Sequence, residues 1–319
     1  MNLVNTTNSL PFIDTDGLKS SLIVYPRLHF FSLDLSDYIG ILKHGSFGMS
    51  LFNFPIKIEC YTQNKIDEIS FNNSRTHHLD YNIDLDKLRK KLNCSQHFNI
   101  SISIPNDIQE HTGIGLSTQI VGGVYLLCAK HCGVDLSISD LFELGVGHVS
   151  TLGLNLLFNP GIIVENGVNY KNNVERPVNA IIKFDSFPFW TIVAIPNKLQ
   201  SLSAELEDNF WNNLLPESVD ITKSVYREFY GECIPAIIEK DFEAFASSID
   251  KVVRMGTKAK EERIQSEGTQ KLLSTFRDLF GCAGVSSMGP TIYSFAAKNP
   301  SEQLEKIKNE QFNIHIIEP

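Results

Sequence analysis

The 319-residue chain is short of basic charge, of thiols and of long apolar runs, and each shortage removes a class of function. Lys and Arg number 28 against 37 Asp and Glu, a net charge of −9. No basic excess exists to neutralise a nucleic-acid backbone, so nucleic acid is not an expected partner. Any phosphate ligand must be held by a local site. No apolar run reaches the ~20 residues that cross a bilayer, so no membrane partner is expected. The first residues, MNLVNTTNSLPFIDTDGLKSS, lack a basic segment followed by an apolar one, and read as a polar leader rather than a secretory signal. The six cysteines are few and scattered, which argues against a disulfide scaffold and fits a reducing cytoplasm. Cys128, His131 and Cys132 stand close enough on a helix to suggest metal ligands. No second pair completes such a site, so two small half-buried cysteines beside a solvent-facing histidine is the favoured reading.

What is present is ordinary globular material: 42% hydrophobic and 20% charged residues, enough chain for one large domain or two ordinary ones. Strands are expected over 19–35, 48–54, 56–62, the strictly alternating 97–105, 161–167 and 188–196. Short amphipathic helices are expected near 83–92 and, behind a Ser137/Asp140 capping box, near 137–145. Three more are expected at 218–232, 235–255 and 262–279. In the middle one, Ile237, Ile238, Phe242, Phe245 and Ile249 form a core stripe. A loop and strand at 284–296, a helix near 301–310 and a strand at 312–317 end the chain. The pattern is α+β, with a boundary expected near residue 180: a phosphate-binding domain over 1–180 and a ferredoxin-like one over 181–319.

The stretch with most chemistry in it is 111–119, HTGIGLSTQ, directly before the apolar run IVGGVYLLCA. Gly113 and Gly115 open backbone conformations closed to other residues. Ser117 and Thr118 add hydroxyls. A helix starting there aims unpaired N–H groups and a partial positive charge into the turn, where a phosphate is the natural occupant. Alone, the pattern favours an ordinary capped turn, because it matches neither the Walker loop nor the full dinucleotide fingerprint.

Other stretches shift that balance. Arg27, His29, Asp34 and Leu35 stand in YPRLHFFSLDL; Ile104 and Pro105 precede His111, Gly113, Ile114, Gly115, Thr118 and Gln119. LGVGHVSTLGLNLLFNPGIIVENG (144–167) carries Gly145, Gly147, Ser150, Gly153, Gly161, Ile163, Val164 and Gly167, and AGVSSMGPTIY (283–293) is a second glycine- and serine-rich loop. In this order, from about residue 24 to 297, these residues resemble the β-ribofuranosylaminobenzene 5′-phosphate synthases. That family lies within the galactokinase, homoserine, mevalonate and phosphomevalonate (GHMP) kinase group. Leu116 stands where the family has Ser, Ser117 where it has Gly, Val146 where it has Arg, and Glu165 where it has Asp.

The resemblance implies a GHMP-kinase-like α+β fold: an N-terminal ribosomal-protein-S5-domain-2-like layer and a C-terminal ferredoxin-like domain. It implies a C-glycoside synthase joining phosphoribosyl pyrophosphate to an aromatic or heteroaromatic acid, with loss of pyrophosphate and CO2, assisted by Mg2+, in a cytoplasmic homodimer. Arg27, His111, Gly113, Gly115, Ser117, Thr118, Gln119, Ser150, Ser286, Ser287 and Thr291 then become candidates for binding substrate phosphate and carboxylate. His29, Asp34 and Glu165 become candidates for catalysis, and Asp34 and Glu165 for the metal. Each has an ordinary reading beside it: a surface ion pair for Arg27, a core imidazole for His29, structural hydrogen bonds for the rest. The same fold also admits an ATP-dependent small-molecule kinase, or a non-catalytic ligand-binding relative.

Overall fold

The computed structural model describes residues 2–5, 13–16, 19–33, 42–43, 45–63, 66–72, 81–148, 151–171, 174–177, 180–197, 215–307 and 309–319. The first half contains strands β1 (Asn2–Asn5), β2 (Ile13–Asp16), β3 (Lys19–Val24), β4 (Arg27–Ser32), β5 (Leu42–Lys43), β6 (Ser46–Ser50), β7 (Ile56–Gln63) and β8 (Glu68–Asn72). Helix α1 (Leu85–Leu92), β9 (His97–Ser103), and helices α2 (Leu116–His131), α3 (Ile138–Glu143) and α4 (Thr151–Phe158) follow. Strands β10 (Ile162–Glu165), β11 (Val168–Lys171), β12 (Val174–Pro177) and β13 (Ala180–Phe184) complete it.

The second half runs β14 (Trp190–Pro196), α5 (Val219–Glu228), a π-helical turn at Phe229–Cys233, α6 (Ile234–Glu239), α7 (Phe242–Val253), α8 (Gly256–Arg263) and α9 (Glu267–Phe280). It ends with β15 (Ala283–Val285), β16 (Ile292–Ala296), the one-turn α10 (Ser301–Leu304) and β17 (Phe312–Ile317).

One five-stranded sheet has the order β1-β13-β10-β6-β4, and a second the order β2-β3-β7-β9-β8, in which only the β8–β9 pair is parallel. Helix α2 packs on the second sheet: Cβ atoms at Gly123 would collide with Ile58 of β7 and crowd Val24 of β3, so glycine sets the close approach. The last sheet, β15-β16-β14-β17, is antiparallel throughout. Taken in chain order its strands lie 4-1-3-2, the ferredoxin-like arrangement expected, with α5 to α9 filling the first crossover. Strand β13 pairs with β10 of the first half.

Local chemistry explains most element ends. Asp84 accepts from the Lys87 N–H to start α1, and Asn93 in the left-handed region ends it. The Ser137/Asp140 capping box is present at α3, and Ser218, Asp241 and Ser266 cap α5, α7 and α9. Several expectations differ from the structure, among them the expected helix near 301–310, which is only one turn, and the expected strand over 19–35, which is broken at 25–26. The span 235–255 is two helices, because Lys240 turns left-handed (φ 58°) and Asp241 caps a new helix. Ile238 is therefore 52% exposed, whereas Phe245 and Ile249 are core. Helix α4 was hidden by composition: all eight of its residues are buried, so TLGLNLLF carries no amphipathic stripe. Cys94 and Cys132 form a disulfide tying the end of α1 to the end of α2, in a chain whose cysteine pattern suggested none. Cys128 instead lies beside Cys60, with 4.0 Å between the sulfurs, and a His131 ring nitrogen bonds the Cys60 carbonyl.

The main core is continuous across both halves. Its bridge is an aromatic cluster around Phe30 of β4, whose ring lies 4.9 Å from Phe47 of β6, 4.9 Å from Tyr293 and 5.2 Å from Phe295 of β16, all edge-on. The Tyr293 hydroxyl donates to the Phe30 carbonyl at 2.9 Å. These contacts press the N-terminal β4 against the last sheet and so fix β4 relative to the loop between β15 and β16. Phe30→Ala is expected to lower the unfolding free energy by about 3–5 kcal/mol in a guanidinium titration. A change below about 1 kcal/mol would mean that the two halves do not depend on this cluster.

Candidate active site

The turn 111–115 folds under the β15–β16 loop, and the two are stitched to β4. The Arg27 N–H donates to the Ile114 carbonyl at 2.7 Å, and the Thr291 N–H to the Thr112 carbonyl at 3.1 Å. The Ser286 hydroxyl donates to the Gly113 carbonyl at 2.8 Å while accepting from the His29 N–H at 3.0 Å. The Ser287 N–H then donates to the His29 carbonyl at 3.2 Å. Gly113 (φ +84°) is required here, because a Cβ would strike the Ser286 carbonyl oxygen.

Above this joint opens a cavity of about 320 Å³ lined by Arg27, Glu110, His111, Gly113, Gly115, Leu116, Ser117, Thr118, Gln265, Ser287, Met288, Gly289 and Pro290. Its floor is the start of α2. Gly115 takes the cap position at φ +63°, and no side chain caps the helix. The first N–H groups of α2 have no intrahelical acceptor and open onto the cavity with the positive end of the helix dipole. The Arg27 side chain runs directly beneath Gly115: a Cβ there would lie 2.7–3.0 Å from its Cγ, Nε and Cζ. Its Nη1 reaches the Gly113 carbonyl at 3.4 Å. Leu116 is buried in the main core and also lines the cavity.

The expected site residues separate into groups. Arg27, His111, Gly113, Gly115, Ser117, Thr118 and Ser287 share the cavity wall. Gln119 does not: it is buried and donates to the Gly153 carbonyl at 2.6 Å, tying α2 to α4. Ser286 has committed its proton to the joint, and Thr291 is fully buried behind it. The His29 ring is also buried. Burial first, then the positive charges of Arg27 and Lys258, hold its pKa well below the usual imidazole range, so the ring is neutral. Asp34 and Ser150 lie outside the described residues.

Glu165, at the end of β10, is fully enclosed. One carboxylate oxygen takes the Ser46 hydroxyl proton; the other takes Thr151 Oγ1 at 2.8 Å and the Gly167 N–H at 2.6 Å. Burial raises its pKa to about 7 despite these bonds and the nearby Arg27 charge.

Sequence patterns did not single out Glu110, Gln265, Lys258 or Glu261. Lys258 and Glu261, one turn apart on α8, form a buried ion pair. The Lys258 ammonium also donates to the carbonyls of Val285 (2.8 Å) and Ser287 (3.2 Å). Gln265 follows on the same face and donates to the Met288 carbonyl at 2.9 Å. One helix edge thus grips the whole β15–β16 loop. The spacing 258, 261, 265 is a helical i, i+3, i+7 series, but charged residues so spaced usually mark a solvent face.

No family model matches the chain. It is 27% identical over 209 residues to the β-ribofuranosylphenol 5′-phosphate synthase of Archaeoglobus fulgidus, a match covering 62% of this chain and 65% of that one. It is 25% identical over 295 residues to the synthase of the same name from Methanocaldococcus jannaschii, covering 85% and 88%. Among solved structures, a homoserine kinase from Cytophaga hutchinsonii aligns with a TM-score of 0.63 at 10% identity, over 96% of each chain. A phosphomevalonate kinase from Streptococcus pneumoniae aligns at 0.66 and 11%, over 90% and 94%. The chain has the GHMP kinase fold. The expectation drawn from the two glycine loops is therefore met at the level of fold, and the likeness to the synthases runs along most of the chain. Within this GHMP fold the cavity at the start of α2 is the place where both loops meet.

Glu165 provides a test of the site's electrostatics. Its folded pKa lies above the 4.5 of an ordinary glutamate, so the folded state holds its proton more tightly than the unfolded chain. The protein is expected to lose stability as pH rises from about 4.5 to about 7, by roughly 3 kcal/mol, and to lose no more from this group above that. Glu165→Gln should flatten that stretch of the Tm–pH curve. An unchanged slope would mean that the carboxylate ionises freely in the folded protein.

Proposed function

We propose that the chain is a C-glycoside synthase that joins phosphoribosyl pyrophosphate to an aromatic or heteroaromatic carboxylic acid. The observation that carries this reading is the uncapped start of α2, with Arg27 beneath it, facing a cavity in a chain similar to β-ribofuranosylphenol 5′-phosphate synthases. A diphosphate leaving an anomeric carbon needs fixed positive charge. Helix amides and a guanidinium supply it without reorganising during the reaction.

In the proposed reaction the electron-rich ring carbon that bears the carboxylate attacks C1 of the ribosyl group. The C1–oxygen bond breaks and its electron pair leaves with pyrophosphate. The new carbon–carbon bond forms, the carboxylate departs as CO2, and the electron pair it leaves behind restores the ring. No activated nucleophile on the protein is needed. Its tasks are to align two reactants and keep water from the cationic carbon. Ser117, Thr118 and Ser287 offer hydroxyls to the anion, and His111 stands at the exposed rim, 3.8 Å from Glu110.

Magnesium belongs to the same proposal. Among the described lining residues Glu110 is the one carboxylate, and no three His, Cys, Asp or Glu side chains converge among the described residues. A single carboxylate with substrate phosphates suits magnesium, which keeps much of its shell as water and phosphate. Glu110 would hold it, and it would add positive charge to the departing diphosphate; Asp34, another metal candidate, lies outside the described residues. Glu165, with its oxygens already engaged, acts in this reading as a positioning residue for the turn at Gly167. Neutral His29 supports the β15–β16 loop from behind. A homodimer acting in the cytoplasm completes the proposal.

The fold alone is equally that of ATP-dependent kinases, so the assay must separate the two. Purified protein with magnesium, phosphoribosyl pyrophosphate and a panel of aromatic acids is expected to release pyrophosphate and CO2 in equal amounts. ATP turnover without that release would establish a kinase, and binding without turnover a non-catalytic relative. Arg27→Met is expected to lower kcat/KM by about ten- to a hundredfold, the scale of a lost charge-assisted hydrogen bond. Wild-type kinetics in this variant would remove the guanidinium from the mechanism.

A further inference from the structure

The cavity wall opposite the start of α2 carries a group whose role neither glycine loop accounts for. Gln265, between α8 and α9, uses both protons of its amide nitrogen: one goes to the Glu261 carbonyl at 2.8 Å and the other to the Met288 carbonyl at 2.9 Å. Turning the amide over would set its oxygen against two carbonyl oxygens, so the orientation is fixed. The oxygen makes no hydrogen bond among the described residues. It sits over the Cα of Gly289, where a Cβ would come within 2.6 Å of it. Gly289 (φ +75°) and Gln265 both line the cavity, so a side chain at 289 would cover the one acceptor that the amide has left.

A fixed acceptor selects a ligand that donates. We propose that the Gln265 amide oxygen is a specificity-determining acceptor for a ring hydroxyl of the sugar whose diphosphate rests on the start of α2. This rests on the function proposed above. Within phosphoribosyl pyrophosphate the phosphate groups carry no donor of comparable availability at neutral pH, whereas the C2 hydroxyl stands on the carbon next to the diphosphate-bearing C1 and the C3 hydroxyl one carbon further. Gln265 and the α2 amides face one cavity of about 320 Å³, so the first donors a diphosphate-anchored sugar presents across it are those hydroxyls. The bond to Met288 ties the amide to the same loop, 286–290, that the Ser286 joint holds against the anion site, and the bond to Glu261 ties it to α8.

The test compares ligands as well as proteins. Binding of phosphoribosyl pyrophosphate and of its 2-deoxy and 3-deoxy counterparts, with magnesium, is measured by calorimetry on the full chain. The wild type is expected to bind one of the deoxy sugars about tenfold more weakly, the worth of one hydrogen bond. Gln265→Met, which keeps length but no polar atom, is expected to abolish that preference. A merely structural Gln265 would weaken all three sugars equally and leave the preference intact, which overturns the inference. Gln265→Glu keeps an acceptor and loses the donors, so it should retain the preference even if overall affinity falls. If the wild type binds all three sugars equally, this inference fails while the anion site stands. If it binds none of them, the proposed function fails and this inference with it.

Discussion

The hydroxyl of Ser286 is the point on which the site depends. It gives its proton to the Gly113 carbonyl and takes one from the His29 backbone, so a single oxygen joins three segments distant in sequence. Around it the Ser287 N–H reaches His29 and the Thr291 N–H reaches Thr112. A buried hydroxyl used in both directions is itself fully satisfied and restricts the arrangement of the three backbones. That arrangement places the open end of α2 over Arg27 and under the β15–β16 loop. The aromatic cluster about Phe30 holds the same junction from the apolar side.

Charge is distributed around this joint with some economy. Arg27 and Lys258 are both buried within reach of His29, and burial first, then their charges, keep its ring neutral. Lys258 is balanced by Glu261 and by two loop carbonyls, and its charge is spent on holding the loop. Arg27 has the Gly115 backbone packed on it and faces the cavity. A net acidic protein thus keeps a local cationic surface here, backed by helix amides, where the sequence offered no global field.

Much of this was legible from residue patterns. The strict alternation of HFNISIS gave a strand, the Ser137/Asp140 box gave a helix start, and FNIHII gave the last strand to the residue. The glycine turn before α2 was readable because only glycine takes φ +84° and +63° cheaply, and such a turn before a helix exposes amides. What sequence could not distribute were roles within a motif. Ser286 and Ser287 are neighbours with the same side chain, yet one is a staple and the other lines the cavity, a difference set by partners 173 residues away. Gln119 and Glu165 stood in motifs, and the structure engages them with the scaffold, through contacts to α4 and to Ser46 and Thr151. Gln265 and Lys258 stood in none, because their importance lies in carbonyls that carry no sequence signature.

The central claim is that the opening turn of α2 is an anion site. It is tested most directly by titrating 15N-labelled protein with inorganic pyrophosphate and magnesium while following backbone amides. The account predicts saturable shifts, the largest at Leu116, Ser117 and Thr118, with the Arg27 side chain responding in parallel. Saturable shifts centred elsewhere, with those three amides unmoved, would contradict it.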